Sequence, residues 1–505
     1  MSLEAVLLYV AAATLGVCCL FAYNSFLSSP SYMEHYFQFA AVKHTDDVSM
    51  LPHAKNKDFW SKISTWMTVL MIVPMFLMQF AMLTPWVLRQ KLQYRMIVGA
   101  GLSLAAALLV PVCAAGGGIS EGSSMAVLIV ACIVTGGATT VLESALFAFF
   151  GSLPTKYMTG FVMGGGFSGS ISSLLRIVIT VGLPPTFSGV KTSAVIFFSI
   201  GMALMVVVMA IVVLMRFSPL VRSYCKDYRR SGDVARCAQT EAAEKARVRA
   251  LDSAAAPCSG SMPMLEQVPE RDADKMMANL GVAQKLNEDD VQTKSAAPFE
   301  SVTEEPLTGF EDDVGAAETE ASVFAVVRKI WLMMVCLMAN MLTTLVLFPG
   351  IGLTAMHKGN SAASGSSEGD GATWSAEAIM PMVIILMFNV GDTIGRLSVN
   401  FQRLWCPMRF VPVVVVVRAV VCVIPLVLGV CTPRVINSDA NPITVFVVLG
   451  ITNGYLIGLT MAYGSSEPSL TSKERAIAGA CMCFALLAGI TSGSVLSLLI
   501  LTLAL

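Results

Sequence analysis

The sequence predicts an all-α polytopic membrane protein with eleven transmembrane helices, split six and five by one long polar stretch. Three observations predict it. Hydrophobic residues make up 55% of the 505 and charged residues 13%, against about 25% charged in a soluble domain, and mean hydropathy is +0.71. A bilayer core of about 30 Å needs about 20 apolar residues in helix. The chain supplies eleven such stretches: 5–27, 63–87, 95–116, 124–150, 157–183, 193–216, 324–348, 378–399, 409–431, 442–464 and 476–504. The third observation is the placement of Lys and Arg, which alternates from one side to the other along the chain.

Segment one has only four residues before it and no basic leader, so it is expected to be a span and not a signal peptide. With a cytoplasmic N-terminus, the inside loops carry Arg89, Lys91 and Arg95, then Lys156, then Arg216, Arg222, Lys226, Arg229, Arg230 and Arg236. Later inside loops carry Arg403, Arg409, Lys473 and Arg475, whereas Lys191 and Arg434 are isolated outside. The positive-inside rule therefore places the 217–323 loop in the cytoplasm and the C-terminus outside. The first outside loop, 28–62, offsets its lysines with Glu34, Asp46, Asp47 and Asp58. All four histidines (His35, His44, His53 and His357) fall in outside loops, where solvated side chains are expected.

Residues 1–216 then form one six-span bundle and 324–505 a five-span bundle, the plan of many secondary transporters with a site between repeats. Residues 217–323 are charged and rich in Ala and Ser, too poor in apolar area to offset ordering entropy, and are expected to be a mostly disordered linker. Net charge is −1, so nothing points to nucleic acid. The thirteen cysteines sit mainly in apolar runs without CxxC or Cys/His spacing, which excludes a metal or disulfide framework. There is no HExxH or Walker A sequence, so neither a cofactor nor an enzymatic constellation is expected.

Charges inside spans cost about 2.5–3.5 kcal/mol each on insertion scales and call for a reason. Glu143 lies in span four, Arg176 in span five, Asp392 and Arg396 in span eight and Arg418 in span nine. Asp392 and Arg396, four apart, share a helix face. Two readings stand: a self-neutralising pair, or a polar stripe along a water-filled path in which Asp392 accepts from a solute and Arg396 donates to it. Glu143 has no partner within a turn, so it faces the interior or snorkels. Arg176 and Arg418 read as interhelical structural groups. Span five contains Gly164, Gly166 and Gly169 in GxGxxG order, but no strand precedes them. Gly160, Gly164, Gly165 and Gly169 instead suit close helix packing. Pro74, Pro349 and Pro425 mark kinks or ends.

Several of these segments resemble the equilibrative nucleoside transporters. Tyr23-Asn24-Ser25-Phe26 is similar to that family's Trp-Asn-x-Phe, and Leu142-Glu143-Ser144-Ala145-Leu146-Phe147 falls where many members carry a substrate-recognising glutamine. Gly164-Gly165-Gly166-Phe167-Ser168-Gly169 resembles the glycine-rich span-five motif, and Thr344-Leu345-Val346-Leu347-Phe348-Pro349 the end of span seven. The most specific match is Phe388-Asn389-Val390-Gly391-Asp392-Thr393-Ile394-Gly395-Arg396. Arg418 with Pro425, Thr452-Asn453-Gly454-Tyr455-Leu456 and Ala478-Gly479-Ala480 continue the pattern.

The resemblance implies a fold similar to the major facilitator class and a purine nucleoside or nucleobase as solute. It places Tyr23, Asn24, Glu143, Asp392 and Arg396 at the substrate, and Asn453 and Gly454 in structural roles. Asp392 and Arg396 would lie near the sugar, and Glu143 and Tyr23 near the base. The small-residue motifs look most like the protozoan branch, which implies proton-linked uptake with Glu143 and Asp392 as coupling candidates; a facilitative carrier is the alternative. The plasma membrane is the expected location. A receptor or scaffold built on the central loop is the competing class.

Overall fold

The computed structural model describes residues 3–27, 29–41, 52–61, 63–184, 186–225, 228, 322–348, 376–430 and 440–503. The chain divides into two compact units, Met1–Arg229 with Glu320–Leu505, and Arg230–Thr319. The second unit lies outside the described residues, as do the expected disorder of most of 217–323, Pro349, His44 and His357.

A helix occupies each of the eleven stretches. They are α1 (Leu3–Cys19, continued by Phe21–Leu27), α2 (Ile63–Met82), α3 (Leu92–Gly116), α4 (Glu121–Gly151), α5 (Thr155–Gly182) and α6 (Phe187–Met215). After the central stretch come α7 (Val323–Val346), α8 (Ala376–Ser398), α9 (Val411–Val430), α10 (Ala440–Ser465) and α11 (Ser472–Leu503). Nine helices among the described residues are long and apolar enough to cross a membrane; α2 contributes a shorter apolar run, Trp66–Met82, and α8 is outside both sets. Span two is expected to reach residue 87, but α2 stops at Met82. Thr84 precedes Pro85 and is extended (φ −68°, ψ 143°), because the proline ring disfavours helical backbone in the residue before it.

Helix starts carry their own signals. Ser120, Thr186 and Ser218 accept from the backbone N–H three residues on. Thr471 and Glu474 form a reciprocal capping box at the start of α11, Thr471 N donating to Glu474 Oε2 (2.8 Å) and Glu474 N to Thr471 Oγ1 (3.4 Å). Glu474 also pairs with Lys329 of α7 at 2.8 Å. In the 28–62 loop, Glu121 accepts from Lys55 N, Asn56 N and Trp60 Nε1, tying that loop to the start of α4.

Small residues set which helices touch. Without a water-driven hydrophobic force between spans, close backbone approach supplies the contact. Gly164 lies against Ala13 and Gly16, joining α5 to α1, and Gly136 lies against Met71, joining α4 to α2. In the later half, Gly391 and Gly395 of α8 face Val447 and Ile451, while Gly450 and Gly454 of α10 face Phe388 and Asp392. Gly489 and Gly493 bring α11 onto Met338 and Leu342 of α7.

The halves meet along α5 with α8 and α4 with α11, and more narrowly α2 with α11. Gly479 abuts Phe147, Gly151 abuts Arg475, and Gln79 Nε2 donates to Ala480 O (3.1 Å). At that same end, Tyr9 of α1 donates to Asn400 Oδ1 beyond α8 (3.1 Å). These contacts close the end of the bundle that carries the α4–α5 and α10–α11 turns.

Candidate functional site

Two clusters of polar groups lie within electrostatic reach of each other, one where α5 meets α8 and one around Glu143 of α4. The first is built on α8. Asp392 is 5% exposed, and its Oδ2 accepts from Arg396 Nε at 2.7 Å. Its Oδ1 accepts from Asn453 Nδ2 of α10, also at 2.7 Å. Both carboxylate oxygens are thus engaged within the protein. Arg396 sends Nη1 to Val162 O of α5 (3.1 Å), across to the other half. A guanidinium has five N–H donors, so with Nε and one Nη1 proton used, three of the five stay free of protein acceptors among the described residues. Glycines make this approach possible: a Cβ at Gly165 would lie 3.3 Å from Arg396 Nη1, and one at Gly166 2.8 Å from Arg396 Cδ.

The second cluster lies in the earlier half. Glu143 is 5% exposed, and its carboxylate makes no hydrogen bond or ion pair among the described residues. It is within electrostatic reach of Arg396, and also of Cys19, Tyr23 and Cys483. Tyr23 is partly buried, and its hydroxyl makes no hydrogen bond among the described residues. Asn24, one residue on, donates to Ser168 Oγ of α5 at 3.4 Å.

Between the clusters and the opposite end runs a polar seam. Ser170 and Thr393 hydroxyls lie 2.7 Å apart, and Asn389 Nδ2 donates to Ser173 Oγ at 2.6 Å. A Cβ at Gly169 would lie 2.9 Å from Asn389 Oδ1. Gly160 and Gly164 face α1, whereas Gly165 and Gly169 face α8. Arg176 shares the Gly165–Gly169 stripe but lies eleven residues past Gly165, about 16 Å along the axis, so it does not join the Glu143–Arg396 cluster. It is partly buried and has no hydrogen-bond or ion-pair partner among the described residues.

Arg418 of α9 also stays away from the clusters. It donates to Thr452 Oγ1, Asn340 O, Thr344 Oγ1 and Leu449 O at 2.7–3.2 Å, inside the later half. Asn340 and Thr344 of α7, 0% and 1% exposed, complete that network through Asn453. Sequence reasoning did not mark Asn340, though an asparagine in the middle of an apolar span was a signal on its own terms. Among the described residues no group of three His, Cys, Asp or Glu side chains is placed to hold a metal ion.

A family model described as "Nucleoside transporter" matches residues 128–502. The chain belongs to the nucleoside transporter family. Nucleoside transporter 1 of Crithidia fasciculata is 26% identical over 508 residues, covering 97% of this chain and 93% of that protein. Adenosine transporter 1 of the same organism is 25% identical over 509 residues, covering 97% and 92%. Equilibrative nucleoside transporter 2 of Mus musculus is 24% identical over 499 residues, covering 96% and 94%. The course of the helices is similar to that of the human organic anion transporter MFSD10, at a TM-score of 0.48 and 10% identity, covering 99% of this chain and 95% of that one. It is likewise similar to the Major Facilitator Superfamily transporter FucP in the outward conformation, at 0.48 and 9%, covering 98% and 96%. Within the nucleoside transporter family match fall Glu143, Asp392, Arg396, Arg418, Asn453 and Gly454; Tyr23 and Asn24 precede it.

Proposed function

We propose that this integral membrane protein imports purine nucleosides, nucleobases or both across the plasma membrane by alternating access between its two bundles. The observation that carries the reading is the arrangement of unused groups in a member of the nucleoside transporter family. Among the described residues, a carboxylate without a hydrogen-bond partner, Glu143, and the Tyr23 ring stand in one half, and three unused guanidinium donors of Arg396 stand opposite. A solute with an aromatic face, ring N–H groups and oxygen acceptors matches all three. The base stacks on Tyr23, its N–H groups donate to Glu143, and Arg396 donates to the acceptors on the far side. Asp392 acts by holding Arg396 and is a further contact once solute draws the guanidinium away.

The Lys and Arg distribution supports a cytoplasmic position for the closed end, and with it a conformation that receives solute from outside. Release inside requires the Tyr9–Asn400, Gln79–Ala480 and Phe147–Gly479 contacts to part while α5 and α8 act as the pivot. Glu143 is the candidate for proton coupling, since a carboxylate with no hydrogen-bond partner among the described residues is free to take a proton together with solute; a facilitative carrier uses the same carboxylate as a permanent acceptor. The test is labelled uptake of adenosine, inosine, hypoxanthine and uridine in cells lacking their own purine transporters, at pH 6 and pH 7.5, with and without a protonophore. Accumulation that collapses with the protonophore supports symport. Saturable uptake that only equilibrates supports the facilitative carrier. No uptake of any of the four, with protein at the surface, refutes the assignment.

A further inference from the structure

We infer that Arg418 is a positioning residue for the guanidinium of Arg396, acting through Thr344, Asn453 and Asp392, an inference that rests on the reading of Arg396 given above. Arg418 sits in α9, is 4% exposed, and no carboxylate lies within ion-pair distance of it among the described residues. Its bonds go to neutral oxygens: Nε to Thr452 Oγ1 (2.9 Å), Nη1 to Asn340 O (3.1 Å), and Nη2 to Thr344 Oγ1 (2.7 Å) and Leu449 O (3.2 Å). An arginine kept charged and buried for packing alone is costly, and hydrophobic replacement of buried charge is often neutral or stabilising. What this one supplies is a fixed direction for a series of hydrogen bonds.

The direction follows from donor and acceptor chemistry. Arg418 only donates, so Thr344 Oγ1 must accept from it. The single Thr344 proton is then left for Asn453 Oδ1 (2.8 Å) or for Asn340 O of its own helix (2.8 Å). Asn340 Nδ2 donates to the same Asn453 Oδ1 at 3.0 Å. With Oδ1 of Asn453 facing these donors, its Nδ2 must point to Asp392 Oδ1, where it lies at 2.7 Å. Asp392 Oδ2 is thereby turned to Arg396 Nε. The series passes from α9 to α7, α10 and α8, and ends on the group that faces Glu143. An asparagine amide is ambiguous by shape alone, and here the upstream donors set its sense. Flipped, Asn453 would press its oxygen against Asp392 Oδ1, the carboxylate would swing, and Arg396 would lose its angle. Four donated bonds from one planar fork are available to Arg and not to Lys.

Thr452 supplies the internal control, because it binds Arg418 at Nε but leads nowhere toward Asp392; its hydroxyl donates to Val448 O (2.7 Å) and Leu449 O (3.3 Å) of its own helix. The experiment measures KM and Vmax for inosine and adenosine uptake, surface amount, and thermal unfolding of the purified full chain. Thr344→Val is expected to raise KM about ten-fold with Vmax per surface molecule within about two-fold, in the range known for substitutions along coupled networks. Thr452→Val and Thr344→Ser are expected to stay within about two-fold in KM, and Thr452→Val to match Thr344→Val in unfolding temperature. In an Arg396→Lys background, Thr344→Val is expected to add less than about two-fold. Equal KM values for Thr344→Val and Thr452→Val, or full multiplication with Arg396→Lys, overturn the inference. Should Thr344→Val not reach the membrane, Arg418→Lys decides: a KM raised about ten-fold supports the relay and an unchanged KM overturns it. Wild-type uptake by Arg396→Leu would instead remove the reading of Arg396 itself, and the relay with it.

Discussion

In the later half of the bundle Asp392 has both oxygens engaged, by Arg396 and Asn453, and Asn453 is itself held by Asn340 and Thr344. In the earlier half Glu143, buried to the same 5%, has no partner among the described residues, and neither has the Tyr23 hydroxyl. A carboxylate at the same exposure is satisfied on one side and left open on the other. Since a buried unpaired polar group costs about 1–3 kcal/mol and a charged one more, the open side is where a ligand gains most and the satisfied side is what holds the geometry against which it binds. On this account the later half orients and the earlier half receives.

The comparison yields predictions in order of size. Gly454→Leu breaks the orienting side outright: a Cβ there collides with the Asp392 carbonyl and comes within 2.9 Å of Arg396 N. Folded protein at the surface should fall to background in an immunoblot of surface-labelled cells. Next, Arg396→Leu or Asp392→Asn should cut uptake by at least about 100-fold with surface protein retained, and wild-type uptake in either would remove the pair from the mechanism. Tyr23→Ala should raise KM about ten-fold, because base–aromatic stacking is worth about 1–3 kcal/mol. Tyr23→Phe, which keeps the ring, should stay within about two-fold in the same assay. Glu143→Gln should have the smallest effect on affinity, within about three-fold, while the ratio of uptake at pH 6 to that at pH 7.5 drops to about one. If acid stimulation survives intact, Glu143 is not the coupling group.

Much of the fold was legible because lipid imposes a length on every span, and runs such as 193–216 or 409–431 have no soluble reading. The end of span two was not, because apolar composition runs past Met82 while the Thr84–Pro85 junction stops the helix. The pair Asp392–Arg396 was legible from its four-residue spacing. The crossing of Arg396 to Val162 was not, since nothing in either segment states that α5 and α8 touch. Likewise the sequence marked Arg418 as structural and Asn453 by resemblance, but their connection passes through Thr344 and Asn340, more than seventy residues from Arg418 in the chain. The spacing of the α5 glycines predicts close helix packing but not its partners: Gly160 and Gly164 serve α1 and Gly165 and Gly169 serve α8. Periodicity gives the faces of a helix, and only the fold assigns each face its neighbour.

The central claim is that this chain alone carries nucleosides between two sides of a membrane, with Arg396 at the solute. Solute counterflow in liposomes holding only the purified protein tests it most directly. Vesicles preloaded with unlabelled inosine should transiently concentrate labelled inosine from outside, and vesicles holding Arg396→Leu should not. Absence of counterflow with folded, inserted wild-type protein, for inosine, adenosine and hypoxanthine alike, would contradict the account.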